Sequence, residues 1–85
     1  MYEIKTRNEK IRRELERYAS MMPGIKDKIE RLKQNPRKEI GAHPLHGKLA
    51  GKWTCWLGSN IRMIYEINDE NKEIIVEAVG SHKIY

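Results

Sequence analysis

The spacing of apolar residues changes along the chain, and each change marks an element. "YEIKT" alternates, with Tyr2, Ile4 and Thr6 on one side, which predicts a short first strand. From Asn8, a residue suited to an N-cap, the positions Ile11, Leu15, Tyr18 and Met22 follow the repeat of one helical face. Pro23-Gly24 breaks that helix. Ile25, Ile29 and Leu32 then repeat the spacing until Asn35-Pro36 stops it. This predicts a helical hairpin with one apolar stripe. Helices this short do not persist alone in water, so the stripe must cover something.

The stretch from Arg37 to Lys52, "RKEIGAHPLHGKLAGK", holds three glycines and a proline, shows no period, and reads as a connecting loop. Three strand-like runs follow: "KWTCWL", "IRMIYEI" and "KEIIVEAVG". They are separated by turns at Gly58-Ser59-Asn60 and at Asn68-Asp69-Glu70-Asn71, and connections this short make antiparallel neighbours. The predicted order is βααβββ. It is an α+β fold, a small, twisted, antiparallel-rich sheet with the N-terminal helical hairpin packed on one face. A chain of 85 residues supports one modest core, so residues 1–85 are expected to form a single domain.

Alternation also sorts side chains between the two faces of the sheet. Ile61, Met63, Tyr65 and Ile67 share the more apolar face and should meet the helices. Arg62, Ile64 and Glu66 share the other. An arginine inside an apolar strand needs a partner, because an unpaired guanidinium is costly to bury. Two partners suit it: Glu66 or Glu77 on the same sheet, or a phosphate from outside. Trp53 and Trp56 fall on opposite faces; one belongs to the core, and the other either covers the sheet edge or offers a platform for a base. Cys55 alternates with Trp53 and Leu57 and reads as a small core residue.

The formal charge of +5 is unevenly spread. Residues 1–38 carry twelve Lys/Arg against six Asp/Glu, whereas residues 66–85 carry two against five. A basic surface of this kind either attracts a polyanion such as RNA or serves solubility. The start "MYEIKTRNEK" is charged where a signal peptide needs an apolar stretch, and no segment approaches membrane-spanning length, so a soluble, cytoplasmic protein is expected. His43 and His46 have no Asp or Cys close by, and Glu39 alone does not complete a zinc site; neither metal nor cofactor is expected.

RNA cleavage without metal needs a base to take a 2′-hydroxyl proton, a cation to stabilise the phosphorane, and an acid for the leaving oxygen. Arg62, His82 and Tyr85, with Lys48, Lys52 or Lys83, supply those groups. Gathered in the order "HPLHGKLAGKW", "IRMIYEI" and "VGSHKIY", the motifs resemble the RelE/ParE superfamily of toxins from toxin–antitoxin systems, and most of all its YafQ-like branch. The resemblance spans essentially the whole chain. It implies a ribosome-dependent mRNA endonuclease that inhibits translation and is held inactive in a hetero-oligomer with a cognate antitoxin. His82 would handle protons, Tyr85 would close the site, His43 would match the functional histidine of "HPL", and Arg62 the arginine of the third strand. Lys48, Lys52, Trp56 and Lys83 would contact RNA.

The chain also departs from the family. "WTCWL" lacks the strand lysines of RelE, Trp56 and Asn60 stand where the YafQ pattern carries a histidine and an aspartate, and the tail is one residue shorter than "GSHDEVY". Two other readings follow from the same likeness: a ParE-like poison of DNA gyrase, or a decayed toxin that only binds its antitoxin. The imidazole of "SHKIY" separates the first reading from these, since a gyrase poison does not need it.

Overall fold

Asn8 starts the first helix as its position predicts, its side chain accepting a hydrogen bond from the Ile11 amide at 2.9 Å. In the computed structural model, which describes residues 1–81 and Ile84, the elements run in the expected order. They are β1 (Glu3–Thr6), α1 (Glu9–Met21), α2 (Ile25–Gln34), β2 (His43–Pro44), β3 (Trp53–Gly58), β4 (Ile61–Asn68) and β5 (Glu73–Ser81). Gly24 makes the break between the helices, with φ of 100° in the left-handed region that glycine enters without strain.

The sheet order is β1-β5-β4-β3-β2. The three long strands pair antiparallel, as their short turns require. Two features differ from the sequence reading. β1 pairs with β5 in parallel, so the sheet is mixed. The segment read as a plain connecting loop also supplies β2, a two-residue edge strand bonded to β3 and flanked by turns at Glu39–Gly41 and Gly47–Leu49. Two residues are too few to show a period, which is why the pattern did not mark them.

Both helices lie on one face and close the core there. Leu15, Ile25 and Leu32 meet Cys55, Leu57, Met63, Tyr65, Ile74, Val76 and Val79, with Ile11, Tyr18, Met22 and Ile29 packed around them. The spacing Ile74, Val76, Val79 records a β-bulge: Ile64 pairs with Ala78 but Tyr65 pairs with Val76, so Glu77 is the extra residue. At the base of the core the buried Tyr65 hydroxyl donates to the Pro36 carbonyl at 2.6 Å, tying β4 to the end of α2.

A second tie, one residue along, holds the turn of the hairpin β4–β5. Asp69 accepts from both Arg37 Nη1 and Nη2, at 3.1 and 2.8 Å, and from the Tyr2 hydroxyl at 2.6 Å. The Arg37 bonds first, and the Tyr2 bond second, hold its carboxyl at about 2, below its ordinary 3.8. A carboxylate stabilised in the folded state contributes stability above its unfolded value and loses it as protons bind the folded form. The Asp69 contribution is therefore whole above about pH 4 and fades toward about pH 2. Thermal unfolding of Asp69→Asn beside the parent should show a difference at pH 6 that shrinks steadily below pH 4. A difference that stays constant to pH 2 would place the effect elsewhere.

Candidate active site on the open sheet face

The face turned away from the helices is organised in rows, because directly paired residues of an antiparallel sheet project to the same side. One row joins Trp56 on β3 to Arg62 on β4. The next joins His43 on β2, Thr54 on β3, Ile64 on β4 and Ala78 on β5. Rows on one face lie two residues apart along a strand, about 7 Å. The edge strand thus brings His43 within one row of Arg62, although nineteen positions separate them. Ile64, on this face, is only 4% exposed, so the centre of the second row is sealed, while Trp56 in the first row is 49% exposed.

Arg62 is half-buried, and among the described residues its guanidinium has no hydrogen-bond or ion-pair partner. The two internal partners that the sequence offered are taken. Lys52 Nζ donates to Glu66 Oε1 at 2.7 Å and to Glu77 Oε1 at 2.6 Å, and Arg7 approaches Glu77 at 3.7 Å. The Glu66 bond first, then that of Glu77, holds the Lys52 ammonium above its ordinary value, and Lys52 in turn holds the Glu66 carboxyl below its own. Lys52, expected to contact RNA, is engaged with these two carboxylates. It neutralises carboxylates on the face that carries Arg62. The sequence carried a trace of this arrangement: the three-residue step from Val76 to Val79 marks the bulge that sets Glu77 beside Lys52.

His43 is exposed, and its Nδ1 lies 3.0 Å from the Gly41 carbonyl. A carbonyl only accepts, so Nδ1 carries the proton in this contact. In the neutral ring, Nε2 then holds the lone pair, which is the arrangement a proton acceptor requires. Lys48 is exposed on the turn Gly47–Leu49 and makes no ion pair among the described residues. His82, Lys83 and Tyr85 lie outside the described residues. Ser81, immediately before them, pairs with Ile61, the neighbour of Arg62.

Cys55 is fully buried, and burial pushes its thiol up to about 12, so it stays protonated and is no nucleophile. Among the described residues no group of three His, Cys, Asp or Glu side chains is placed to hold a metal ion. Among the described residues no helix is long and apolar enough to cross a membrane.

No family model matches the chain, and no curated protein matches it by sequence. Solved structures do match it by shape. A YoeB/ParE toxin from Agrobacterium tumefaciens superposes with a TM-score of 0.76 at 22% identity, over 94% of this chain and 98% of that one. YafQ from Escherichia coli BL21(DE3) gives 0.69 at 18% identity, over 98% and 96%. The YoeB–YefM complex from Staphylococcus aureus gives 0.72 at 16% identity, over 96% and 98%. The fold is that of the RelE-like toxins. On this RelE-like frame, β4 carries Arg62 and the edge strand β2 carries His43, which puts both on the face opposite the helical hairpin.

Proposed function

We propose that the protein is the toxin of a type II toxin–antitoxin system and cleaves messenger RNA on the ribosome. The observation that carries this reading is Arg62, a guanidinium without a partner among the described residues, on the open face of a RelE-like sheet, one row from His43. A fork of N–H donors at such a place matches a phosphate in both charge and geometry.

Cleavage then runs through side chains. A base takes the proton of a ribose 2′-hydroxyl, and the oxygen attacks the adjacent phosphorus. The bond from phosphorus to the 5′-oxygen breaks, and an acid protonates that oxygen. The products are a 2′,3′-cyclic phosphate and a 5′-hydroxyl. Arg62 stabilises the charge that accumulates on the phosphorane. His82 and His43 handle the two protons, and Tyr85 orients the substrate. Lys48 and Lys83 hold the flanking backbone.

The basic helical half of the chain also suits an acidic antitoxin that folds on binding, and the cytoplasm is where both partners would meet. The YoeB–YefM structures from Staphylococcus aureus are of a toxin–antitoxin complex. Induction of the protein without its antitoxin should stop translation before plasmid supercoiling changes. Loss of supercoiling first, with messages intact, would favour a gyrase poison and overturn the nuclease.

A further inference from the structure

Trp56 is a large indole left half in water on the row that carries Arg62. A core role does not account for it. Trp53, its counterpart on the other face, packs against the helix-side cluster, whereas Trp56 does not belong to that cluster. An exposed indole returns little burial energy, yet this one is held in place. Its Nε1–H donates to the Ser59 carbonyl at 2.7 Å, which fixes the ring against the β3–β4 turn. The ammonium of Lys28 donates to the Leu57 carbonyl at 3.3 Å and stands 6.0 Å from the ring centroid. Gly58, at φ of 127°, makes room for that ammonium, since a Cβ there would lie 3.1 Å from Nζ. The bulge after Trp56 belongs to the same arrangement.

From this we infer that Trp56 is the stacking platform for a nucleobase of single-stranded RNA, and that it sets the register of the scissile phosphate on Arg62. Directly paired residues on one sheet face have Cβ atoms about 5 Å apart. An aromatic side chain and an arginine rooted at paired positions of one sheet face suit a base and the phosphate joined to it through one ribose. Every base has a π face, so the platform contributes affinity and position with little choice among bases. The inference rests on the nuclease reading above and assigns Trp56 a substrate-positioning role within it.

The test compares parent, Trp56→Phe, Trp56→Leu and Trp56→Ala on ribosomes programmed with one defined message, with Arg62→Ala alongside. Stacking on an aromatic side chain changes affinity by roughly 5- to 150-fold. Trp56→Ala and Trp56→Leu should each raise KM by about 10-fold or more, while Trp56→Phe should stay within about 3-fold of the parent. An abasic nucleotide placed beside the cleaved bond should bring parent and Trp56→Ala to equal rates. Thermal unfolding of all three variants checks that the sheet is intact. If Trp56→Leu cleaves like Trp56→Phe, the indole is only a cover for the sheet edge and the inference falls. If Arg62→Ala abolishes cleavage while all three Trp56 variants match the parent, the nuclease reading stands and the platform does not. If the parent itself leaves the message uncut, both fall.

Discussion

Arg62→Ala should lower the rate of message cleavage by roughly 10²- to 10³-fold, the usual cost of removing one preorganised donor from a developing oxyanion. The same substitution should leave stability within about 0.5 kcal/mol of the parent, because the guanidinium is half-exposed and has no partner among the described residues to lose. That separation is the useful part of the prediction. Several other cations are tied to carboxylates among the described residues: Arg12 to Glu9 and Glu16, Arg31 to Glu39, Arg37 to Asp69, Lys52 to Glu66 and Glu77. Removing those disturbs the fold and the charge together. Arg62→Lys should recover only part of the rate, since an ammonium restores charge without the planar fork. Chemical denaturation of both variants, run beside single-turnover cleavage, checks the claim; an Arg62→Ala protein that unfolds early would show the residue to be structural.

The largest effect on stability is expected at Tyr65. Its ring is fully buried, and its hydroxyl donates to the carbonyl of Pro36, itself fully buried. Burial holds the phenol well above its ordinary value, so it stays a neutral donor throughout the physiological range. Tyr65→Ala removes the largest of the fully buried side chains and should cost about 3–5 kcal/mol. A domain this small has about 5 kcal/mol or somewhat more in total, so the variant should be largely unfolded at 37 °C. Tyr65→Phe keeps the packing and leaves the Pro36 carbonyl without its donor, at a cost of about 1–3 kcal/mol. Urea midpoints of the two variants measure both terms. A Tyr65→Phe protein with an unchanged midpoint would mean that the bond contributes nothing net.

These two residues also show how far the sequence could be read. Both sit on β4, and simple alternation placed Tyr65 toward the helices and Arg62 away from them, as observed. The helical hairpin was legible for the same reason, with Leu15, Ile25 and Leu32 all at stripe positions and all buried. What escaped was set by pairing between distant segments. The parallel partnership of β1 with β5 and the edge strand His43–Pro44 have no local period to announce them. The partner of Lys52 depended on a bulge that moves Glu77 along the strand, and the anchor of Trp56 on the ammonium of Lys28, reaching across from α2. The tie between Tyr2, Arg37 and Asp69 joins three elements whose sequence positions suggest no contact. The candidate site was legible as a list of residue types, and the register then joined Arg62, Trp56 and His43 on one face.

The claim that this open face cleaves RNA is tested most directly by mapping the ends of one defined message on translating ribosomes, with parent, Arg62→Ala and His82→Ala proteins side by side. The account predicts fragments from the parent that end in 2′,3′-cyclic phosphate and begin with 5′-hydroxyl, that require the ribosome, and that all but disappear with either variant. A message left intact by the parent, or fragments that persist unchanged when Arg62 is alanine, would contradict it.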